Sequence, residues 1–251
     1  MQTDTERAKA AGSLYLLIIV LGLSSEILLR GPLFHEGDPA ATAAAILAAE
    51  GLLRLSVLAD MAMATADVAL AVLLLWLFRP VGPLLAALAV AFRLAQAAVI
   101  AANLLNLHGA LLLLTTPGLA PDTAAAIAYG SLDLHRHGYD LGLVFFGVNA
   151  LLMGVMILRS TGFPGWLGHL MTAAGLVYLA GSTLRFAAPH LAILFQPAYL
   201  VAVVAEVSFT ILLLNGRVPV APPAAPGHRS RFLVPNQDGA RGRTRTGTPC
   251  G

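Results

Sequence analysis

Six long apolar segments constrain this chain more than any other feature. A transmembrane helix needs about 20 consecutive, mostly apolar residues. Six segments meet that requirement, at approximately Ala11–Leu29, Leu52–Phe78, Pro83–Leu114, Tyr139–Leu158, Leu167–Ala187 and Pro197–Leu214. Leucine and alanine dominate them, without the alternation over about ten residues that is typical of a membrane β-barrel. Only 11% of the 251 residues are charged, against about 25% in soluble domains. We therefore predict an all-α, polytopic transmembrane bundle of about six spanning helices.

The segments outside the spans divide the chain into three parts. We predict a short cytoplasmic N-terminus over residues 1–10, a six-helix transmembrane domain over residues 11–216, and a tail over residues 217–251. The tail is rich in Pro, Gly and Arg and has no apolar period, so we expect it to be disordered. An alternative assigns Leu14–Leu23 to a signal peptide, but no Ala-x-Ala cleavage site follows that segment.

The longest predicted loop follows the first span. Asp38 can cap a helix that begins at Pro39, and the alanine-rich sequence after it sustains a helix. We predict a short amphipathic external helix here, with Ile46 and Leu47 against the membrane surface.

The distribution of basic residues predicts the orientation. Cationic residues are retained on the cytoplasmic side. With the N-terminus inside, that side carries Arg7, Lys9, Arg79, Arg159, Arg217 and the tail arginines, whereas the opposite side carries Arg30, Arg54, Arg136 and Arg185. We predict a multi-pass protein of the cell (inner or plasma) membrane with both termini in the cytoplasm. Membrane lipids are the expected partners. Nucleic acid is not expected, because the basic excess is confined to the tail, and the sequence identifies no protein partner.

Two carboxylates lie inside the second span. Asp60 and Asp67 are seven residues apart, which places them on one helix face about 10 Å apart. Counted from the shared turn, Asp67 and Arg93 of the third span lie at about the same depth, near the bilayer midplane. Asp60 and Asn103 also lie level with each other. We therefore predict two polar rungs, Asp67 with Arg93 and Asp60 with Asn103, and no cation at the level of Asp60.

Other polar residues extend this intramembrane cluster. Ionisable groups inside the membrane are candidate functional sites. The first hypothesis is a polar cavity that binds or translocates a small polar solute, an ion or a proton; the alternative is a set of buried pairs that only fix helix packing. The candidate residues are Glu26, Asp60, Asp67, Arg93, Gln96, Asn103, Asn106 and Glu206.

A second polar cluster stands at the start of the fourth span, in LDLHRHGYD. His135, His137 and Asp140 have the side chains that zinc or another divalent ion prefers. His135 and His137 point to different sides of a helix, so they converge only if the helix breaks, for which Gly138 provides a position. The corresponding hypothesis is a metal-dependent enzyme acting on a lipid-like substrate at the outer face. No other cofactor is predicted, and a third hypothesis is a non-catalytic membrane interaction protein.

Four segments carry a family resemblance: AGSLYLLIIVLGLSSE, EGLLRLSVLADMAMATADVALAVLLLWLFRPV, FRLAQAAVIAANLLNLHGALLLL and LDLHRHGYDLGLVFFGVNALLMG. Together they resemble a bacterial integral membrane family catalogued as domain of unknown function 4386. The resemblance covers about residues 8–215. It implies an integral membrane protein of about six helices, and it implies no activity, cofactor or catalytic residue.

Overall fold

The structure, a computed structural model, describes residues 3–221. This part of the chain contains eight α-helices and no β-strand, which confirms the all-α prediction. The helices are α1 Asp4–Leu23, α2 Pro39–Ala48, α3 Glu50–Phe78, α4 Pro83–Thr115, α5 Pro121–Arg159, α6 Gly165–Ala187, α7 Pro189–Phe195 and α8 Tyr199–Leu214. Residues 222–251, the greater part of the predicted disordered tail, lie outside the described residues.

Six helical segments within residues 3–221 are long and apolar enough to cross a membrane. They are Asp4–Leu33, Glu50–Phe78, Pro83–Thr115, Pro121–Arg159, Gly165–Ala187 and Pro189–Leu214. Large apolar side chains cover their outer faces: Leu84, Leu105 and Leu194 are 72%, 73% and 77% exposed. Such a surface is unfavourable in water but matches lipid acyl chains. The chain is a multi-pass integral membrane protein.

The first span does not end as a regular α-helix. After Leu23 the chain forms a π-helical segment, Ser24–Arg30, and then a 3₁₀ turn, Gly31–Leu33. A π-helical turn is wider than an α-helical one and is frequent at functional sites. Here Arg30 is directed into the bundle and is buried. The prediction that Arg30 lies in the loop after the first span is therefore wrong.

The short helix α2 begins where it was predicted to begin, but the surroundings of one of its faces differ from the prediction. The Asp38 side chain accepts a hydrogen bond of 2.9 Å from the Ala41 amide, and Pro39 opens the helix. Leu47 is exposed, but Ile46 is buried against Leu53 and Leu107. The prediction that Ile46 lies on the membrane surface is wrong, because α2 packs onto α4 and α5.

The fourth and sixth spans also differ from their predicted bounds. Helix α5 runs unbroken over 39 residues from Pro121, about 58 Å at 1.5 Å per residue, so the predicted start at Tyr139 lies near its middle. The sixth span consists of α7, a 3₁₀ turn Gln196–Ala198, and α8. Pro197 lies in that turn, where its missing amide hydrogen and its ring interrupt a regular helix.

The two ends of the bundle have different interiors. We call the end with the α3–α4 turn the hairpin end, and the end with α2 the loop end. The hairpin end holds an apolar core with stacked and edge-on aromatic rings, Tyr15, Phe78, Phe163 and Phe209, whose centroids lie 5.6–6.2 Å apart. A smaller apolar cluster below α2 lies at the loop end. The polar residues lie between these two clusters.

Candidate functional site

The predicted pair of Asp67 and Arg93 forms between α3 and α4. The Arg93 Nε donates a hydrogen bond of 2.8 Å to Asp67 Oδ1, and Arg93 Nη2 lies 2.5 Å from the same oxygen. Arg93 is only 1% exposed and Asp67 only 3%. The tight turn Arg79–Gly82 sets the register of the two helices, which explains why counting residues from the turn predicted this contact.

The surroundings of Arg93 include groups that the sequence analysis missed. Its Nη1 lies 3.5 Å from Asn149 Oδ1, and the Asn149 amide donates a hydrogen bond of 2.7 Å to the Ala89 carbonyl. The guanidinium also lies over the rings of Tyr15 and Phe146, at 4.9 and 5.2 Å. Such cation–π contacts stabilise a desolvated cation. The available signal for Asn149 was its position as the one amide in the apolar run LVFFGVNALLMG.

The other carboxylate of α3, Asp60, pairs with Arg30. Arg30 donates to Asp60 Oδ2, to Ser25 Oγ at 2.8 Å and to Glu26 Oε2 at 2.7 Å. Ser25 in turn donates to the Ser56 carbonyl, at 3.1 Å. The predicted rung between Asp60 and Asn103 is therefore absent, because the π-helical end of the first span supplies the cation that Asp60 lacked in the sequence analysis.

Asn103 instead joins α4 to α5. Its Nδ2 donates to the His135 carbonyl at 2.7 Å, and Asn106 Nδ2 donates to Asn103 Oδ1 at 2.8 Å. His135 Nδ1 lies 3.2 Å from the Asn103 carbonyl. A Cβ on Gly138 would lie 2.2 Å from Asn103 Oδ1. Gly138 therefore permits close helix packing and does not break α5.

The predicted metal ligands do not converge. His135 and His137 project from an unbroken helix; His137 Nδ1 lies 2.9 Å from the Asp133 carbonyl. Asp140 accepts a hydrogen bond of 2.5 Å from Arg185 Nε. Over residues 3–221, no group of three or more His, Cys, Asp or Glu side chains is placed to hold a metal ion. The predicted metal site at His135, His137 and Asp140 depended on a helix break, and α5 contains no such break.

A cavity of about 540 Å³, the central cavity, lies between the aromatic core and the loop end. Five of the eight predicted cluster residues line it, and Asp60, Asn103 and Asn106 do not. Those five are Glu26, Asp67, Arg93, Gln96 and Glu206. The polar lining residues absent from the predicted cluster are His135, Arg136, Tyr139, Asp140, Tyr178, Arg185, Gln196 and Tyr199.

Several polar atoms of this lining have no protein partner. Gln96 Oε1 and His135 Nε2 are buried and accept no hydrogen bond from the described residues. Glu206 is held by the Tyr178 hydroxyl, which donates to its Oε1. A buried polar atom without a partner costs about 1–3 kcal/mol. The wall of the central cavity therefore contains unsatisfied hydrogen-bonding groups.

A smaller cavity of about 200 Å³ lies towards the loop end. Glu26, His135 and Arg136 line both cavities. The polar region therefore extends from the level of Arg93 towards the loop end, whereas the aromatic core closes the hairpin end.

Comparison with known proteins identifies the family. The family described as domain of unknown function (DUF4386) matches residues 10–216, which is most of the chain. The chain belongs to this family. An uncharacterized protein of Archaeoglobus fulgidus is 31% identical over 120 residues, which cover 48% of this chain and 60% of that relative. The chain thus spans less than two thirds of that relative's length. No solved structure matches the chain.

Two of the residues missed in this DUF4386 protein lie beyond the reach of depth counting. Arg30 follows the irregular end of the first span, and Tyr178 contacts Glu206 on α8, which no tight turn joins to α6. Arg185 and Asp140, by contrast, lie about equally far from the short connection between α5 and α6, so the same counting could have related them. The polar residues Tyr178 and Arg185 in the fifth span were the signals available for them.

Proposed function

We propose that this membrane protein binds a small polar group, carried by a solute or an ion, in the central cavity. The observation that carries the proposal is that the central cavity combines a suitable volume with polar atoms that have no partner. Its volume of about 540 Å³ lies within the range of about 300–1,000 Å³ for ligand pockets. Gln96 and His135 line it, and Gln96 Oε1 and His135 Nε2 are buried without partners among the described residues. A purely structural polar network is expected to satisfy its own members.

The charged groups of the cavity favour specific binding over a passive water-filled gap. Asp67 with Arg93 and Asp140 with Arg185 are ion pairs within the wall. Fixed dipoles and charges in a site of low dielectric interact strongly with a polar ligand. Each wall pair can exchange one hydrogen bond with a ligand while it keeps its charge balance.

Translocation requires more than binding. The rings of Tyr15, Phe78, Phe163 and Phe209 pack at the hairpin end, so a solute that crosses the membrane has to separate them. In our proposal, this state of the protein receives its ligand from the loop end or from the bilayer. Release on the hairpin side belongs to a second state.

A cavity-filling substitution tests the proposal. Purified protein is heated with and without single members of a panel of inorganic ions, carboxylates, amines and polyols. A ligand at about 100 times its Kd is expected to raise Tm by at least about 5 °C. Ala97→Phe, which projects a ring into the cavity from a buried position, is expected to abolish the shift. Ala98→Phe, on the exposed face of α4, is the matched control and should keep it.

Two outcomes would overturn this proposal: no member of the panel shifts Tm, or Ala97→Phe retains the whole shift. Ala64→Leu fills the cavity from α3 and replaces Ala97→Phe if that variant fails to fold.

We also propose that the hairpin end faces the cytoplasm of the cell membrane. Arg7, Lys9, Arg79 and Arg159 lie towards that end, whereas Arg30 and Arg185 are engaged with carboxylates inside the bundle. Lys and Arg in short cytoplasmic segments set orientation. Cys250, the single cysteine of the chain, should react with a membrane-impermeant maleimide only after cells are permeabilised. Thr116→Cys in a Cys250→Ser background should react in intact cells; the reverse pattern would refute this orientation.

A further inference from the structure

We propose that the polar group bound in the central cavity is the anionic head of a single-chain amphiphile, which enters sideways from the bilayer between α1 and α8. This inference rests on the proposed function and specifies its ligand class. The head carries a carboxylate or phosphate, and the hydrocarbon chain stays between the two helices.

Helices α1 and α8 are in close contact at the hairpin end. A Cβ on Gly12 of α1 would lie 2.7 Å from the Leu214 backbone nitrogen of α8. Tyr15 and Phe209 are in edge-on contact, with centroids 5.9 Å apart. On the hairpin side of these rings, α1 and α8 lie too close together for a ligand to fit between them.

Towards the loop end, the central cavity separates the same two helices. Leu23 and Ile27 of the first span, and Val203 and Val207 on α8, line this cavity. All four side chains are also substantially exposed, by 38–61%. Side chains that line a cavity and also reach the lipid-facing surface mark a place where the cavity meets the bilayer. We call the gap bounded by these four residues the α1–α8 portal.

The depth of the α1–α8 portal matches one leaflet. Tyr15 contacts Arg93 near the midplane, and Ile27 lies 12 residues further along the first span, about 18 Å closer to the loop end. That is roughly half the thickness of the hydrocarbon core. A chain in the α1–α8 portal therefore has the position of an acyl chain in the loop-end leaflet, with its head near the membrane boundary.

Arg136 supplies the positive charge that binds the anionic head. The other two cavity arginines are paired, Arg93 with Asp67 and Arg185 with Asp140. Arg136 has no carboxylate partner among residues 3–221, and its guanidinium lies 4.7 Å from the centre of the Phe34 ring. It precedes Phe146, a neighbour of Arg93, by ten residues of α5, about 15 Å towards the loop end. The uncompensated cation thus lies at the depth of the outer part of the portal.

The acidic residues of the cavity do not reverse this choice. Glu26 is bonded to Arg30, and Glu206 accepts from the Tyr178 hydroxyl. Tyr178 stacks edge-on with Phe146, so Glu206 lies at the midplane level and about 15 Å from the level of Arg136.

Native mass spectrometry of the full chain, released from detergent, tests the inference. The probes are dodecanoate and dodecyl phosphate, dodecyltrimethylammonium as a cation with the same chain, and acetate and inorganic phosphate as anions without a chain. We expect one equivalent of a dodecyl anion to be retained, and the cation and the short anions to be lost. The two dodecyl anions distinguish a carboxylate from a phosphate as the preferred head.

Two pairs of variants locate the site. Val203→Trp narrows the α1–α8 portal and is expected to weaken binding at least about tenfold, while Val204→Trp, on the neighbouring exposed face and outside the cavity lining, should not. Arg136→Gln should weaken binding about tenfold or more. Arg54→Gln, an exposed arginine near the loop end of α3 that lines neither cavity, is its control.

The outcomes separate the two proposals. If acetate or phosphate binds as well as the dodecyl anions and Val203→Trp has no effect, the amphiphile inference fails while binding in the cavity stands. If the dodecyl cation binds as tightly as the anions, the assignment of the head to Arg136 fails. If none of the probes is retained, the amphiphile inference fails; if the ion and solute panel also leaves Tm unchanged, the proposed function fails with it.

Discussion

Two carboxylates on the same face of α3 reach an arginine in different ways. Asp67 meets Arg93 of the next helix, across a tight turn, and the pair forms part of the cavity wall. Asp60, two helical turns away, meets Arg30, which comes from the π-helical end of the first span, and neither residue lines the central cavity. The first pair is therefore part of the binding site that we propose, whereas the second holds the first span against α3.

Removing one partner of the Asp67–Arg93 pair is expected to have the largest effect. Asp67→Leu leaves the Arg93 guanidinium, 1% exposed, without its counter-ion, and breaking a buried pair costs about 3–5 kcal/mol. Arg93→Met should cost a similar amount. The double variant should recover most of the loss, because it leaves no isolated charge in the membrane. Thermal unfolding in detergent measures all three.

This double-variant cycle also separates packing from function. Recovery of Tm together with loss of ligand-dependent stabilisation would assign the pair to the site. A double variant as unstable as either single one would contradict the compensation of charges.

Breaking the Arg30–Asp60 pair is expected to lower the free energy of unfolding by less than breaking the Asp67–Arg93 pair. Arg30→Met isolates Asp60, which is fully buried, but leaves Glu26 partly exposed at the membrane boundary. We expect a loss of about 3 kcal/mol, at the lower end of the range for a broken buried pair, and recovery with Asp60→Leu. Arg54→Gln, which breaks an exposed pair with Glu50, should change stability by less than about 0.5 kcal/mol.

This comparison between pairs would fail if ligand-dependent stabilisation disappeared in the Arg30→Met, Asp60→Leu protein. In that case the Arg30–Asp60 pair would also take part in ligand binding. The distinction between a pair in the cavity wall and a pair that only holds the first span against α3 would then be wrong.

The two pairs also show how far the sequence alone can predict this fold. Apolar length identifies the six spans, and a tight turn makes depth counting reliable for Asp67 and Arg93. Neither signal contains the widening of the first span at Ser24–Arg30, so the partner of Asp60 was missed. Contacts such as Tyr178 with Glu206 depend on how separate helices assemble, and no local pattern encodes that arrangement.

The helix break expected at Gly138 was wrong for a related reason. Gly138 beside two histidines is compatible with a helix break or with close packing. The sequence cannot decide between them without the position of α4. The contact of Asn103 with this glycine decides it.

A smaller effect is expected at Asn149, which joins the Asp67–Arg93 pair to α4 and α5. Asn149→Ala removes the hydrogen bond to the Ala89 carbonyl and the contact with Arg93, a loss of about 1 kcal/mol. In the protein that also carries Asp67→Leu and Arg93→Met, the substitution should cost less, since one of its two partners is gone. Equal costs in the two backgrounds would show that Asn149 does not support the pair.

A small change in stability, and the sharpest test of whether the cavity wall binds a ligand, is expected at Gln96. Gln96 lines the central cavity and its Oε1 is buried without a partner, so Gln96→Leu removes an unsatisfied acceptor and keeps the side-chain volume. Tm without ligand should stay the same or rise, corresponding to no more than about 1 kcal/mol. The ligand-dependent shift should fall, because the ligand loses a hydrogen bond.

The matched change Asn106→Leu, outside both cavities, should do the opposite: it removes a bond to Asn103 and lowers Tm, but it preserves the ligand-dependent shift. If Gln96→Leu destabilises the free protein and leaves ligand binding intact, the polar residues of the cavity wall only support helix packing, as the Arg30–Asp60 pair does.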